Sequence, residues 1–345
     1  MKVLVTGSEG YIGSMLVSCL IDAGHTVTGL DSCYFDNRRF IGERPHYRLI
    51  RRDVRDVNIS EIKGHDMVCH LAALSNDPAG DLTPGVTEDI NHLGTALFAE
   101  KAKKAGVRRF VFSSSCSMYG EGDVSGYLTE EAGFNPVTAY ARSKVLAERD
   151  LSRLADDDFS PVYLRNATVF GVSPKLRLDL VVNNLVALAH TTKAIAMTSD
   201  GTPWRPLVHV RDVCLAFRCA LGAPRSAIHN QAFNIGRTDT NHRIREIAEK
   251  IGAVMKDAEI TFGRSNADNP DKRTYRVSFE KAAQHLPGFV PAWSLEDGIN
   301  EVYEGCKRFG LKREHLGGDE FITLNRYRRL LLEGMIRPDF RWVEA

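Results

Sequence analysis

Hydrophobic and polar residues alternate along the first half of the chain in two different rhythms. Short β-branched runs, such as Lys2–Thr6 and Thr26–Leu30, are separated by longer segments such as Gly10–Ala23, in which apolar residues recur every three or four positions. The first pattern is typical of buried strands and the second of amphipathic helices. Their alternation predicts an α/β fold in which crossover helices join parallel strands.

The same two patterns predict the remaining elements. Further strands are expected at Tyr47–Arg51, Met67–Leu71, Arg109–Ser113, Val162–Arg165, Leu207–Val210 and Ala232–Ile235. Further helices are expected at Glu88–Ala105, Ala139–Leu154, Leu180–His190, Val213–Leu221, Ile244–Ile251 and Leu295–Phe309. The alternation persists to about residue 170 and then loosens. We therefore expect a Rossmann-type, doubly wound parallel sheet followed by a smaller, mixed C-terminal lobe.

The expected division into lobes follows this change of pattern. Residues 1–170 form the first lobe, to which residues 205–236 return, and residues 171–204 and 237–312 form the second. Residues 313–345 are an addition, in which basic and apolar residues alternate at helical spacing around Phe321–Leu332. We expect an amphipathic helix there, packed on the body or on a second subunit; a basic surface for an acidic partner is the alternative.

Composition and charge exclude several classes of protein. The chain has 345 residues, with 45 Lys and Arg against 44 Asp and Glu and a net charge of +1, which gives no general attraction for nucleic acid or an anionic membrane. No run of about 18 apolar residues is present, and a glycine interrupts the N-terminus too early for a signal peptide, so a cytoplasmic protein is expected. The seven cysteines are dispersed and never spaced as C-x-x-C, which predicts neither a disulfide framework nor a metal site.

A glycine-rich loop joins the first predicted strand to the first predicted helix. Within Thr6–Gly13, residues Gly7, Gly10 and Gly13 form a G-x-x-G-x-x-G pattern. Gly7 permits a tight turn, Gly10 lets backbone N–H groups approach a pyrophosphate, and Gly13 lets the helix lie close to the strand. The loop therefore predicts a dinucleotide site, with an ordinary glycine-rich turn as the alternative.

An acidic residue indicates which dinucleotide binds. Asp31 ends the second strand, 24 residues after Gly7, where a carboxylate can accept hydrogen bonds from ribose hydroxyls. The same carboxylate repels a 2′-phosphate, which favours NAD over NADP, although Arg38 and Arg39 follow closely. Asp53 ends the third strand and is a candidate acceptor for the adenine amine; an exposed surface aspartate is the alternative.

A tyrosine and a lysine are the candidate catalytic pair. Tyr140 and Lys144 fall near the start of a predicted helix, where a spacing of four places both on one face. An adjacent ammonium and a positive nicotinamide ring both stabilise a phenolate, which would make Tyr140 a usable base near neutral pH. Ser115 lies at the end of the fifth strand, where its hydroxyl can hold the oxygen that loses its proton.

These motifs together resemble those of the extended short-chain dehydrogenase/reductases, in the NAD-dependent epimerase/dehydratase group that acts on nucleotide sugars. The resemblance runs from Met1 to about residue 310 and also includes His70–Ala73, Asn91–Thr95 and Ser113–Gly120. It implies an NAD-dependent enzyme. The cofactor-binding residues that it and the loop imply are Gly7, Gly10, Tyr11, Ile12, Gly13, Asp31, Asp53, Val54, Leu71, Ala72, Ala73, Asn91, Tyr140 and Lys144.

The resemblance also implies substrate-binding residues. They are Ser117, Thr168, Asn183, Asn184, Arg205 and Arg273. Thr168 stands where many members have asparagine. Arginine suits a diphosphate because its guanidinium can donate two bonds to phosphate oxygens; the alternative for Arg205 is a surface arginine beside Trp204.

The family's members share a first step, in which Tyr140 would remove the proton of a sugar hydroxyl, usually at C4, while hydride passes to the nicotinamide. Dehydratases of the family carry Asp and Glu just after the position of Ser115, where this chain has Cys116 and Ser117. A 3,5-epimerase uses a cysteine at the position of Ser117, so we interpret Cys116 as a packing residue. A decarboxylase would need a supporting glutamate, for which only Glu121 is available. Epimerisation at C4 of a nucleoside-diphosphate sugar needs the least additional machinery and is the favoured reaction.

Three alternatives remain. A ketosugar reductase would consume the cofactor stoichiometrically, and a dehydratase would eliminate water. A non-catalytic, NAD-binding regulatory protein usually lacks the tyrosine or the lysine, and both are present here. The resemblance further implies a homodimer, in which Glu88–Ala105 and Ala139–Leu154 of each subunit form a four-helix interface.

Overall fold

The computed structural model describes residues 1–43, 45–75, 77–121, 125–197, 199–263 and 273–343. Its strands are β1 (Lys2–Thr6), β2 (Thr26–Asp31), β3 (Arg48–Arg51), β4 (Met67–His70), β5 (Arg109–Ser115), β6 (Ser160–Asn166), β7 (Thr168–Phe170), β8 (Ala194–Met197), β9 (Trp204–His209), β10 (Gln231–Ile235), β11 (Asn241–Arg243) and β12 (Glu259–Phe262). Its helices are α1 (Tyr11–Asp22), α2 (Ile59–Ile62), α3 (Asp77–Gly80), α4 (Pro84–Glu88), α5 (Thr95–Lys104), α6 (Ala139–Leu154), α7 (Val181–Thr192), α8 (Val210–Gly222), α9 (Arg225–Ile228), α10 (Ile244–Val254), α11 (Glu280–His285), α12 (Leu295–Phe309) and α13 (Thr323–Leu332).

Seven parallel strands form the central sheet, in the order β10-β6-β5-β4-β1-β2-β3. The middle strand β1 pairs with β2 and β4, so that Val3 lies opposite both Val27 and Met67. Helices α1 and α8 pack on one face, and α5 and α6 on the other. Because both faces are covered, β1 carries a continuous run of buried residues and not an alternating one. The predicted α/β fold with a doubly wound parallel sheet is confirmed.

A three-stranded sheet, in the order β11-β9-β7, and the two-stranded pair β12-β8 build the smaller lobe. The sequence placed residues 205–236 with the first lobe, and the structure divides them. Strand β9 pairs with β7 and β11, whereas β10 pairs with β6 of the central sheet. The prediction was therefore wrong for β9, because a short apolar run shows burial but does not show which strand lies beside it.

The predicted helix Glu88–Ala105 differs in its interior. The helical segment begins earlier, at Pro84, and residues Asp89–Gly94 form one stretch of π-helix between α4 and α5. A π-helical stretch holds one residue more per turn, and such insertions are frequent at functional sites. Here it turns Asn91 toward the loop after β4, where the Asn91 amide accepts from Leu74 N at 2.8 Å and donates to Leu74 O at 3.1 Å.

The C-terminal addition packs against the first lobe. Helix α13 buries Tyr327 and Leu330, and Ile336 and Phe340 follow them into the same hydrophobic cluster as α5 and α6. The amphipathic helix predicted there is present, and its apolar face lies on the body of the same chain.

A buried ion pair joins α6 to the central sheet. Arg165, in β6, donates from Nε to Glu148 Oε1 at 3.1 Å and from Nη2 to Glu148 Oε2 at 2.7 Å. Both side chains are only 7% exposed. Arg165 also donates to the Tyr119 hydroxyl and to the carbonyl of Glu130. Because Glu148 lies four and eight residues after Lys144 and Tyr140, the pair fixes the face of α6 that carries them.

Replacing this arginine should destabilise the fold more than replacing an exposed one. We expect Arg165→Ala to lower the free energy of unfolding by about 3–5 kcal/mol, because it leaves the Glu148 carboxylate buried without its partner. Arg149→Ala, which removes a side chain of α6 that is 57% exposed, should change the free energy of unfolding by less than about 1 kcal/mol. Urea unfolding of the two variants measures the difference, and equal losses would contradict a special role for the pair.

Candidate functional site

A cavity of about 740 Å³ runs along the carboxyl ends of the parallel strands and into the smaller lobe. Most of the residues predicted for ligand binding line it. They are Gly7, Gly10, Tyr11, Ile12, Gly13, Asp31, Asp53, Val54, Leu71, Ala72, Ala73, Ser115, Ser117, Tyr140, Lys144, Thr168, Asn184, Arg205 and Arg273. Ligands of open parallel sheets bind at this edge, so the placement agrees with the fold.

The glycine-rich loop is packed so tightly that two of its glycines are required. Gly7 has φ +70°, and a Cβ there would lie 2.8 Å from Ala72 N. A Cβ on Gly13 would lie 1.9 Å from the carbonyl oxygen of Gly7. Gly10 caps α1, whose first N–H groups therefore face the cavity at the positive end of the helix. The loop has the form that receives an anionic pyrophosphate.

Asp31 ends β2 beside this loop. Its carboxylate accepts from Glu9 N at 2.9 Å and from Cys33 N at 2.6 Å. Burial raises the pKa of Asp31 to about 6, although the two backbone hydrogen bonds and Lys175 act in the opposite direction. The carboxylate is therefore held in place by the backbone and is ionised above about pH 6.

Two amides predicted to contact ligands do not line the cavity. The Asn91 amide is occupied by the backbone of Leu74. Asn183 is fully buried, accepts from Gly171 N at 3.0 Å and donates to Arg177 O at 3.0 Å. The structure thus places these two amides away from the cavity wall, where both brace loops that line the cavity. Sequence cannot separate the roles, because an amide that faces a ligand and one that faces a loop occupy the same kind of position.

Two other predicted cofactor residues already have protein partners. Tyr11 lines the cavity, and its hydroxyl donates to Gly171 O at 2.7 Å. The Asp53 carboxylate accepts from Arg55 at N, Nε and Nη2, at 2.9, 2.9 and 2.7 Å. Asp53 therefore reaches the cavity as half of an ion pair.

Tyr140 and Lys144 lie on one face of α6, as predicted from their spacing. Lys144 Nζ donates to Ser113 O at 2.7 Å and lies 5.6 Å from the centre of the Tyr140 ring. Burial lowers the pKa of Lys144 to about 7, and Glu148 partly opposes the shift. Tyr140 stands in the first turn of α6, where the helix dipole also favours a negative phenolate.

Buried polar atoms surround this pair. Ser115 Oγ accepts from Ser117 N at 3.1 Å. Ser114 Oγ, Ser117 Oγ and Asn166 Oδ1 are buried and have no hydrogen-bond partner among the described residues. A buried polar atom without a partner is rare in folded proteins, and all three residues line the cavity, so they are suited to bind a polar ligand. Asn166 and Ser114 were not predicted, although their positions at the ends of β6 and β5 were a usable signal.

Cys116 points away from the buried polar side chains that surround Tyr140 and Lys144. It is fully buried, and its thiol donates to Arg165 O at 3.1 Å. Burial raises the pKa of the Cys116 thiol well above its usual value. The thiol is therefore a packing group, as the sequence indicated, in a short 3₁₀ helix and not on the strand itself.

The far end of the cavity lies between the two lobes. Arg205, in β9, is 8% exposed and donates to the carbonyls of Trp204 and Arg273. Thr168 begins β7 beside it, and the Asn184 amide donates to Leu178 O at 2.9 Å. This end offers guanidinium and amide groups for an anionic ligand.

Several lining residues were not predicted to bind a ligand, apart from Arg38, whose position near Asp31 left a contact to a 2′-phosphate open. Arg177 pairs with Asp179 at 2.8 Å and donates to Ser75 Oγ at 3.1 Å. Arg38 adjoins the Asp31 end of the cavity, and Tyr327 reaches the same cavity from α13. No local motif marks these positions, because they are brought together only by tertiary packing.

The fold and this site define a Rossmann-type, dinucleotide-binding protein with a Tyr/Lys pair. The profile of the NAD dependent epimerase/dehydratase family matches residues 3–236. The chain therefore belongs to the NAD-dependent epimerase/dehydratase family, an enzyme family that acts on sugar nucleotides, and NAD is its cofactor.

Individual relatives extend this result. The UDP-glucose 4-epimerase of Mycolicibacterium smegmatis is 31% identical over 320 residues, which cover 88% of this chain and 98% of that protein. The dTDP-glucose 4,6-dehydratase of an Actinoplanes species is 30% identical over 323 residues, 88% of this chain and 96% of that protein. The structure of MoeE5 in complex with UDP-glucuronic acid and NAD has a TM-score of 0.77 and 28% identity, over 89% of this chain and 99% of that one.

Within the described ranges, no helix combines the length and the apolar character needed to cross a membrane. In the same part of the chain, no cluster of three or more His, Cys, Asp or Glu side chains is arranged so that it could bind a metal ion.

The raised pKa of Asp31 predicts how cofactor affinity depends on pH. If Asp31 binds the adenosine ribose, as the sequence predicts, only its ionised carboxylate can accept from both hydroxyls, and about a tenth of it is ionised one pH unit below its pKa. We therefore expect the affinity for ADP-ribose to be about tenfold weaker at pH 5 than at pH 7, and to level off above pH 7. Isothermal titration calorimetry at pH 5, 6, 7 and 8 measures this.

Asp31→Asn should bind ADP-ribose weakly and with little pH dependence, whereas Asp36→Asn, on the exposed side of the same loop, should keep the wild-type profile. A wild-type affinity that is constant between pH 5 and pH 8 would contradict the assignment.

Proposed function

We propose that the protein epimerises a nucleoside-diphosphate sugar, most directly at C4, through a transient 4-keto intermediate. The observation that carries this proposal is the composition of the cavity around Tyr140. Among the described lining residues, this end provides a phenol, an ammonium, hydroxyls and an amide, while the three lining carboxylates, Asp31, Asp53 and Asp179, belong to other parts of the cavity. The site can therefore remove and return a hydroxyl proton, but it lacks a carboxylic acid for eliminating water.

Tyr140 acts as the base in this proposal. Its phenolate takes the proton of the sugar hydroxyl, and the ammonium of Lys144 and the start of α6 stabilise the negative charge. Ser115 binds the oxygen that loses the proton. When bound, NAD accepts a hydride from the sugar carbon and gives it back, so that it is regenerated in each cycle.

Inversion of the configuration at C4 requires the ketosugar to rotate within the cavity, so that its other face meets the cofactor. Ser117 is a small side chain beside the reacting end, and it leaves room for this movement. Arg205 and Arg273, at the far end, would keep hold of the diphosphate while the sugar moves. An anchored diphosphate and a loosely enclosed sugar are what such a reorientation needs.

The reaction can be identified from the product and from hydrogen exchange. The purified protein is incubated with UDP-glucose, UDP-glucuronic acid, dTDP-glucose or GDP-mannose in deuterated water, and the product is followed by NMR and mass spectrometry. We expect an isomer of unchanged mass, with no deuterium on carbon, because the hydride at C4 returns from the cofactor and does not mix with solvent. Added NAD should not be consumed.

Other products would decide against the proposal. Loss of water with deuterium incorporation at carbon indicates a dehydratase, loss of carbon dioxide indicates a decarboxylase, and net oxidation of NADH indicates a reductase. Tyr140→Phe should lower turnover by about a thousandfold or more while ADP-ribose still binds. If no sugar nucleotide turns over and Tyr140→Phe changes nothing measurable, the protein is a non-catalytic NAD-binding protein.

We also propose a homodimer built on α5 and α6. Leu93 and Leu97, four residues apart on the same helical face, are 53% and 44% exposed. His92, in the π-helical stretch that leads into α5, forms a hydrogen bond of 2.7 Å with Asp150 of α6, which joins the two segments into one surface. Exposed leucines at helical spacing on such a surface are suited to pack against the same surface of a second copy.

Charges on these leucines should separate the subunits. We expect the double variant Leu93→Glu, Leu97→Glu to be a monomer at concentrations where the wild type is a dimer, because each dimer interface would then bury four carboxylates. Leu332→Glu, at a leucine that is 87% exposed on α13, should remain dimeric. Sedimentation equilibrium gives the masses, and a monomeric wild type would contradict the proposal.

A further inference from the structure

The C-terminal addition forms hydrogen bonds and packing contacts with the loop that follows Asp31. We call residues 319–343 the C-terminal strap and residues 32–38 the adenosine loop. Trp342 Nε1 donates to Ser32 O at 2.6 Å, and Arg326 Nε donates to Tyr34 O at 2.7 Å. The Tyr34 hydroxyl donates to Phe340 O. The strap thus satisfies backbone and side-chain groups along the first half of the loop.

Aromatic packing reinforces these hydrogen bonds. The Tyr34 ring lies between Tyr327 and Trp342, with centroid distances of 5.7 and 5.6 Å. Tyr327 also contacts Phe35 at 5.5 Å and Phe340 at 5.2 Å. Edge-to-face and tilted pairs at these distances stabilise an aromatic cluster beyond the apolar area that the rings bury. The strap therefore holds the adenosine loop in one conformation.

The strap also touches the opposite wall of the cavity. Leu178 N donates to Phe321 O at 3.0 Å, and Thr323 N donates to Asp179 Oδ2 at 3.3 Å. Both Thr323 and Tyr327 line the cavity itself. The strap thus connects two walls of the cavity: the adenosine loop, which follows Asp31, and the loop before α7.

Arg38, at the end of the adenosine loop, is a charged residue that is buried where the loop meets the strap. It is 1% exposed, lies over the Phe35 ring at 4.4 Å and donates from Nε to Glu320 O of the strap. Its Nη2 atom is buried without a hydrogen-bond partner among the described residues, and Arg38 lines the cavity. Burial and the neighbouring Arg177 lower the pKa of Arg38 to about 10, so it remains a cation at neutral pH. A buried cationic donor with a free N–H group is suited to an anionic ligand.

We propose that the C-terminal strap is part of the NAD site: it holds the adenosine loop in place, and it positions Arg38 as a further cofactor-binding residue that donates to the diphosphate of the dinucleotide. A dinucleotide enclosed in this way dissociates slowly, since the loop cannot open without breaking the contacts to the strap. This inference rests on the binding of NAD and is independent of which sugar reaction the enzyme performs.

Binding of cofactor fragments tests the role of Arg38. We expect Arg38→Met to weaken ADP-ribose binding about tenfold to a hundredfold and to leave adenosine binding unchanged, because only ADP-ribose carries the diphosphate. Arg38→Lys keeps the charge and should bind ADP-ribose more tightly than Arg38→Met does. Arg328→Ala, on the exposed face of α13, is the matched control and should bind both as the wild type does.

These titrations also contain the outcomes that would overturn the assignment. If Arg38→Met binds ADP-ribose as tightly as the wild type, or loses adenosine to the same extent, the guanidinium is a packing group. If the wild type prefers 2′-phospho-ADP-ribose and Arg38→Met removes that preference, the residue serves a 2′-phosphate and not the diphosphate. Thermal unfolding of each variant without ligand shows whether it is folded before its affinity is interpreted.

The role of the strap is tested by the rate at which cofactor leaves. Protein loaded with NADH is mixed with excess ADP-ribose, and the loss of bound fluorescence gives the dissociation rate. We expect Trp342→Ala to accelerate dissociation about tenfold, because it removes the bond to Ser32 O and one ring against Tyr34. Trp342 is partly exposed, so the variant should fold. A rate equal to those of the wild type and Arg328→Ala would show that the strap only packs on the surface.

Discussion

Parallel pairing of seven strands is the constraint on which the whole site depends. Because every strand of the central sheet runs in the same direction, their carboxyl ends meet at one edge. Gly7, Asp31, Ser115 and Asn166 follow or end four different strands, and they are far apart in sequence, yet all line one cavity. Any change that altered the order or direction of these strands would separate cofactor binding from catalysis.

The cavity contains charges that burial makes costly. Burial raises the pKa of Asp31, lowers that of Lys144 and lowers that of Arg38, so each charged form is less favourable here than in water. In the buried Glu148–Arg165 pair, by contrast, the guanidinium of Arg165 donates hydrogen bonds to both carboxylate oxygens of Glu148. Ligands that bind Asp31, Lys144 and Arg38 would therefore stabilise charged forms that burial disfavours. A cofactor that binds such groups adds its binding free energy to the stability of the fold.

Local motifs explain which parts could be predicted. The strands, the glycine loop, Asp31 and the Tyr/Lys spacing depend on residues within one turn or one element, where physical requirements leave a visible pattern. The pairing of β9, the π-helical stretch and the bracing roles of Asn91 and Asn183 depend on which surfaces meet after folding. Tyr327 lies almost three hundred residues after Asp31 and has no motif of its own. Tyr327 lies beside the cavity because of how α13 packs on the body of the protein. The amphipathic pattern predicts that a helix forms there, but it does not predict where that helix packs.

The strap and the proposed epimerisation place complementary demands on the two ends of the cavity. A reaction that takes a hydride and returns it needs the same cofactor molecule to stay bound through the whole cycle, and the strap encloses the adenosine end for that purpose. The sugar must turn between the two hydride transfers. The small side chains of Ser115 and Ser117 leave room for this beside the Tyr/Lys pair, apart from the arginines that would anchor the diphosphate. Rigidity at one end is therefore compatible with movement at the other: a cofactor held by the glycine loop, Asp31 and the strap would keep its place while the ketosugar reorients beside Tyr140.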